Sequence, residues 1–310
     1  MTRQSGWIMS AFRLLLACLA AIGVIAQLRN SEPSTTSQKT VKNLEKYNIE
    51  STGSFDWDTS NIAHVLSAAA YCDTKTYQSL AYPSYASGFK ALYSVDDSKT
   101  DTQGFVGVMA STKQIYVAYR GSESIQDWIN NLEGVVFSKY NNDACNCYVQ
   151  TGIYSAYTQT SDTVIKYLKS AMSSYPGYEV VVTGHSLGAA LASFLSLQLN
   201  EQGITNRLFN YGCPRLGDTA FADYASTVLK TKYRVTHHKD MVPHMPTHVR
   251  YTHYSGEWYE EKMSLKECSG EEDATCSYQW NMTNVDDHMC YFNLYMDCYG
   301  IDGTKTCTSS

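Results

Sequence analysis

An α/β architecture is predicted by three features of the sequence. Strand-like and helix-like runs alternate along its middle on the spacing of strand–helix–strand units, which build a largely parallel sheet. "GFVGVMA" (104–110) and "KQIYVAYR" (113–120) are separated only by Ser111 and Thr112, which predicts a hairpin and so antiparallel strands toward one edge. "VVVTGHSLGAAL" (180–191) passes from an apolar strand straight into an apolar helix between two glycines. The 310-residue chain, 44% hydrophobic and 17% charged, is long enough for one sizeable core, and no internal repeat divides it.

At the N-terminus, "MTRQSGWIMSAFR" leads into the 13-residue apolar run "LLLACLAAIGVIA" and then into polar sequence, with small residues at Val24 and Ala26. Basic start, apolar run and small residues are the order of a secretory signal, so residues 1–26 are expected to be a signal peptide cleaved after Ala26, and the product extracellular. The run is shorter than the ~20 residues a spanning helix needs. Residues 27–54, polar and rich in Ser and Thr without sustained periodicity, are expected to be a flexible or propeptide-like leader, followed by one folded domain at 55–310.

A first helix is predicted from about Trp57 to Tyr71, where "DWDTSNIAHVLSAAAYC" places acidic and Ser/Thr capping residues ahead of an Ala-rich apolar face. After the hairpin, "YRGSESIQDWINNLEGVVF" (119–137) opens on an Arg-Gly-Ser turn. It then sets Ile125, Trp128, Ile129 and Leu132 at i, i+3, i+4 and i+7 on one helical face, opposite Glu123, Gln126, Asp127, Asn130 and Asn131. Periodicity alone reads this as a short core helix. "AYTQTSDTVIKYLKSAMSS" from 156 is helical in period and stops at "YPGY". "YEVVVTG" is then a short buried strand, "SLGAALASFLSLQLNEQG" a buried helix, "RLFNYG" a strand, "DTAFADYASTVLK" a helix and "YRVTH" the closing strand.

Composition narrows the function classes. A formal net charge of −6, with no block of like charges, argues against nucleic acid as a partner. No phosphate-binding glycine loop is present and no cofactor is indicated. Of the ten cysteines, Cys18 leaves with the signal. The nine that remain favour disulfides in a secretory compartment, and the odd number leaves at least one free or paired between chains. Asn281-Met282-Thr283 is a glycosylation tripeptide that fits the same route. The 25 tyrosines read as core and surface packing before they read as a pocket lining.

Chemistry enters with Gly184-His185-Ser186-Leu187-Gly188, a G-x-S-x-G match set between strand and helix. A strand that turns directly into a helix holds the serine in strained φ/ψ, and side chains at the flanking glycines would collide with the turn. A serine hydroxyl is a weak nucleophile until a base takes its proton. A histidine and an orienting carboxylate must therefore follow, in the chain order Ser, acid, His for an elbow of this kind. Asp240, in "YRVTHHKDMVPHMP", lies just past a predicted strand on the same edge of the sheet as the elbow and is the acid candidate. His288, in "NVDDHMCYF", lies well beyond Asp240 and ahead of a C-terminal apolar stretch, which favours it as base over His237, His238, His244, His248 and His253. Spacing leaves His253 open, because it too follows Asp240.

With these residues in hand, the chain resembles the class 3 lipases, the fungal triacylglycerol lipase and feruloyl esterase family, over roughly residues 57–300. The resemblance rests on "AAYC", "IYVAYRGSESIQDWINNL", "YEVVVTGHSLGAALASF", "NYGCPRLGDTAFADY", "YRVTHHKDMVPHMP" and "DDHMCYF", in that order. It implies an α/β-hydrolase-type fold with a helical lid, Ser186 as nucleophile, Asp240 as triad acid and His288 as triad base, which settles the choice of histidine. It also implies an oxyanion hole built from the backbone N–H and hydroxyl of Ser122 and the backbone N–H of Leu187. A tetrahedral acyl intermediate needs such preset donors, one of which is worth roughly 3–4 kcal/mol. The helix carrying Ile125, Trp128, Ile129 and Leu132 corresponds to the family's lid, and where some members have an Asp near the lid's end this chain has Asn131.

The resemblance further pairs Cys72 with Cys298 and Cys268 with Cys276. The first closes a long loop, worth about 5 kcal/mol in the chain-entropy model. Cys145-Asn146-Cys147 occupies the place of a C-x-x-C bridge but is one residue short, so a direct bond is expected to be strained. No second ligand pair supports a metal there, and Cys213, Cys290 and Cys307 stay unassigned.

The expected function is that of a secreted serine esterase hydrolysing acylglycerols at an oil–water interface, monomeric and touching lipid surfaces only peripherally. A feruloyl or short-chain carboxylesterase of the same fold is the alternative. The apolar lid favours the lipase, whereas "EWYEEKMSLKECSG" with its Cys268–Cys276 loop stands closer to the esterase branch. A hydrolase-fold protein that only binds would lack a triad or oxyanion residue, and this chain keeps them all.

Overall fold

The computed structural model describes residues 50–307 apart from 52, 81, 133–135, 141–144, 248, 263 and 282. The expected signal peptide, Cys18 and nearly all of the expected leader lie outside the described residues. In chain order come β1 (Glu50–Ser51), α1 (Trp57–Ala69), α2 (Thr74–Ser79), β2 (Phe89–Asp97), β3 (Thr102–Met109), β4 (Gln114–Tyr119), α3 (Ile125–Leu132), β5 (Phe137–Lys139) and β6 (Tyr148–Gln150). They are followed by α4 (Thr151–Ser174), β7 (Glu179–His185), α5 (Leu187–Glu201), β8 (Asn206–Tyr211), α6 (Thr219–Val228) and β9 (Lys232–His237). The C-terminal part adds β10 (Glu257–Glu261), β11 (Ser264–Glu267), β12 (Cys290–Tyr291), β13 (Leu294–Tyr295) and α7 (Cys298–Ile301).

β7 is buried from Val180 to His185, as a parallel strand covered on both faces must be, so it reads as a continuous apolar run. Alternation sends Val180 and Val182 into a cluster with α4 and α5, and Val181 into a second cluster with α1. The main sheet has nine strands in the order β1-β11-β10-β9-β8-β7-β4-β3-β2. The strands β4, β7, β8, β9 and β10 run parallel to their neighbours in this series. The expected hairpin is β3–β4, and β2 extends it antiparallel.

Antiparallel pairing was expected at one edge and occurs at both, because β10 returns through a tight turn at Lys262 (φ 48°) to pair antiparallel with β11. β1 then adds parallel to β11, so the sheet reaches into the last residues of the segment expected as leader. Phe55 is buried there, 5.0 Å centroid to centroid from Trp258. α4 starts at Thr151 rather than near 156, because the Gln150 side chain accepts the N–H of Ile153 at 2.7 Å and caps it.

Cys72–Cys298 and Cys268–Cys276 are bonded as the resemblance implied, and Cys290 pairs with Cys307. Cys145 and Cys147 are bonded as well, their Cα atoms 5.2 Å apart. The odd cysteine among the described residues is Cys213, a buried thiol whose pKa burial raises to about 11. No helix of the described residues is long and apolar enough to cross a membrane. No cluster of His, Cys, Asp or Glu among them could hold a metal ion.

Candidate active site

β7 delivers His185 and Ser186 to the C-terminal edge of the parallel strands, and α5 begins at the next residue. Ser186 has φ 60° and ψ −128°, a conformation costly for any residue with a side chain. It is fastened by its own N–H donating to Tyr211 O at 3.0 Å and by its carbonyl accepting from Ala189 N at 2.9 Å. The flanking glycines are needed for the reason the sequence suggests. A Cβ on Gly184 would lie 2.3 Å from Gly188 O, and one on Gly188 would lie 2.3 Å from Tyr119 O.

Asp240 follows β9 in the loop, and His288 comes in from the C-terminal segment just ahead of β12. His288 Nδ1 lies 2.9 Å from Asp240 Oδ2 and 3.0 Å from Oδ1. A carboxylate accepts only, so Nδ1 carries a hydrogen, and Nε2 is the nitrogen that a neutral imidazole in this place keeps bare. Ser186, Asp240 and His288 are 0%, 1% and 0% exposed, which seals the constellation from water. Ser186 Oγ and His288 Nε2 are both buried without a hydrogen-bond partner among the described residues, the pattern of groups kept for chemistry. His253 is placed elsewhere, with Nε2 2.7 Å from Pro243 O.

Several site residues escaped the sequence reading. Tyr291 donates its hydroxyl to Asp240 Oδ2, and Val242 N donates to Oδ1 at 2.8 Å, so the acid is held from three sides. Burial and then the Asp240 charge push the Tyr291 phenol far above its ordinary pKa, so it stays a donor. Gly212, at φ +62°, passes so close to the pair that a Cβ there would sit 2.9 Å from His288 Nδ1 and 3.0 Å from Asp240 Oδ2. Only "NYG" at the end of a strand hinted at that turn; nothing local marked what it faces. His185 stacks on His288, centroids 4.5 Å apart, and bonds Tyr71 and the His288 carbonyl.

The Arg120-Gly121-Ser122 turn lies against the elbow: a Cβ on Gly121 would be 2.9 Å from Ser186 Cβ. Ser122, which follows Gly121, and Leu187, which follows Ser186, are both partly exposed. Leu187 is also the first residue of α5, whose opening N–H groups have no acceptor in the helix and face incoming negative charge. α3 follows directly, with Ile129 and Leu132 buried and Ile125 and Trp128 packed partly buried on the same cluster. Its stripe therefore faces inward. Trp128 and Leu132 meet Leu187, Ile153, Ala156 and Gly152 around a cavity of about 250 Å³. The Asn131 side chain lies outside the described residues.

A profile of the family described as Lipase (class 3) matches residues 116–250. The secreted mono- and diacylglycerol lipase A of Penicillium cyclopium is 35% identical over 178 residues, 56% of this chain and 57% of that protein. The chain thus spans little more than half the length of that curated relative. Among solved structures, the lipase of Rhizopus microsporus var. chinensis superposes with a TM-score of 0.71 at 25% identity, covering 84% of this chain and 99% of that one. A triacylglycerol lipase whose catalytic centre is formed by a serine protease triad matches with a TM-score of 0.69 at 26% identity, covering 82% of this chain and all of that one (100%).

Proposed function

The chain belongs to the class 3 lipase family, and on that premise we propose that it is a secreted serine hydrolase cleaving the carboxylic esters of acylglycerols. The observation that carries the reading is the sealed set of Ser186, His288 and Asp240, with a strained serine whose Oγ, like His288 Nε2, is buried without a hydrogen-bond partner among the described residues. Ser186 Oγ attacks the ester carbonyl carbon while His288 Nε2 takes the hydroxyl proton, and the carbonyl π electrons move onto oxygen. Asp240 accepts from Nδ1–H throughout and stabilises the imidazolium. The oxyanion is received by the N–H groups of Ser122 and Leu187 and by the Ser122 hydroxyl. Collapse breaks the C–O bond, His288 returns its proton to the departing alkoxide, and acyl-Ser186 remains. Water then attacks the acyl carbon with His288 again as base, releasing the carboxylic acid and restoring the serine.

α3 is the lid in this reading. Burying an apolar side chain is worth about 1.5–3 kcal/mol, so its stripe keeps the helix face-down over the groove in water. At a lipid surface the same stripe leaves the groove without meeting water, so the surface binds the open state and shifts the population toward it. The enzyme works as a monomer that touches lipid only peripherally, and the relatives named as secreted support an extracellular place of action.

A panel of triacylglycerol emulsion, soluble p-nitrophenyl esters and methyl ferulate tests the substrate class. The expected result is fastest turnover on emulsion. Turnover confined to methyl ferulate would instead favour the esterase reading, which the Cys268–Cys276 loop after "EWYEEK" supports.

A further inference from the structure

Tyr71 lies two residues past the end of α1, far in sequence from both His185 and His288, yet the three meet in the fold. Tyr71 Oη lies 2.8 Å from His185 Nδ1, and His185 Nε2 lies 2.8 Å from the backbone oxygen of His288. That carbonyl can only accept, so Nε2 of His185 carries a hydrogen. His185 is fully buried and neutral, its pKa held well below the usual value by burial and then by His288. Nδ1 is therefore bare and takes its hydrogen from the Tyr71 hydroxyl. On its other side the Tyr71 oxygen is packed against Gly121. A Cβ at Gly121 would lie 2.0 Å from that oxygen, so only glycine admits the phenol here.

Each group in this chain of donors is used, and each end abuts a reacting element. Gly121 precedes the oxyanion residue Ser122, His185 precedes Ser186, and His288 is the base. We propose that Tyr71 and His185 are positioning residues, a relay that fixes the oxyanion turn, the elbow and the base loop relative to one another through one set tautomer of His185. The proposal rests on the hydrolase reading above. The relay also explains the pairing of two stacked imidazoles, 4.5 Å apart at 29°. A neutral His185 does not oppose the positive charge that His288 gains when it takes the serine proton, whereas a charged one in that place would.

The test joins kinetics to a tautomer measurement on the full secreted protein. In ¹⁵N-histidine NMR of the wild type, with signals assigned through His185→Gln, His185 is expected as the Nε2–H form. Its Nδ1 resonance should move when Tyr71→Phe removes the donor. On a soluble p-nitrophenyl ester, Tyr71→Phe should lower kcat roughly tenfold with KM held within about twofold, the split expected of lost alignment. His185→Gln, whose carboxamide can donate to the His288 carbonyl and accept from Tyr71, should retain more kcat than His185→Phe. An Nδ1–H tautomer in the wild type, or a Tyr71→Phe kcat unchanged within about twofold, overturns the relay. A wild type that takes no fluorophosphonate on Ser186 overturns the hydrolase reading instead, and the tautomer still decides the relay.

Discussion

Around Asp240 and His288 nearly every polar atom has a named partner: the carboxylate takes His288, Tyr291 and Val242, and the elbow is bonded to β8 and to its own helix. The roof is held differently. At the exposed start of α3, the Ser124 hydroxyl donates to the Asp127 carboxylate at 2.6 Å. At its root, Arg120 reaches Glu123 at 2.6 Å and also Asp101, both of them exposed carboxylates. Most of what keeps α3 down is the apolar stripe itself, and apolar contact has no fixed geometry, so an equally apolar surface can replace it. In the proposed reading, directional bonds serve the part that must not move by an ångström, and non-directional burial serves the part proposed to open.

The largest effects should come from breaking the directional half. Ser186→Ala should abolish ester hydrolysis while the protein still folds and is secreted, and Asp240→Asn and His288→Ala should each cut kcat by several powers of ten, read by steady-state kinetics. Near-normal turnover in His288→Ala, with loss in His253→Ala, would move the base. Next comes Gly212→Ala, which puts a Cβ against both members of the acid–base pair and forces alanine to positive φ. A fall in kcat of about 100-fold and a loss of roughly 1–2 kcal/mol in urea unfolding are expected.

How much of this could be read from the chain follows the same division. The elbow was readable because Gly184, Ser186 and Gly188, an apolar strand and an apolar helix are neighbours in sequence, and each requirement of the turn is local. Asp240 and His288 were readable only in part: strand position suggested the first, and a family resemblance chose the second. Tyr71, Gly212 and Tyr291 were not readable, because their partners are more than 50 residues away or, for Gly212, lie on loops that only the closed fold brings near. β2 escaped because "FKALYSVDD" is half-exposed and carries a bulge between Ala91 and Tyr93 that breaks its alternation. β10 and β11 escaped because Glu257 and Glu260, both buried, look like surface residues until their partners are known. Glu257 accepts from Thr236 and Ser277, and Glu260 from Phe292 N.

Acid sharpens the comparison from the rigid side. Burial lowers the pKa of His64 to about 3 and holds those of His185 and His253 well below their usual value. The unfolded chain protonates these rings as pH falls below 6.5, while the native state does not until near 3 for His64, so stability is full at neutral pH and is lost as pH drops through that window. Each such histidine contributes a slope of up to about 1.4 kcal/mol per pH unit. Urea midpoints measured from pH 7 to 4 should decline, and His64→Phe should flatten the decline; an unchanged slope would mean that His64 is not held neutral.

The smallest effect belongs to the roof. Trp128→Ala removes one large member of the stripe and none of the directional bonds, so it should weaken adsorption to emulsion and lower emulsion turnover severalfold. Hydrolysis of a soluble monomeric ester should change less. Equal loss on both substrates would make α3 fixed structure and bring the esterase reading forward.

The most direct measurement is the rate at which a soluble fluorophosphonate labels Ser186, followed by intact mass and peptide mapping, with and without a dispersed lipid surface. An assembled constellation under a movable roof predicts a single adduct on Ser186, slow in buffer and markedly faster once the surface is added. An adduct that forms at the same rate in both, or no adduct on Ser186 at all, would contradict it.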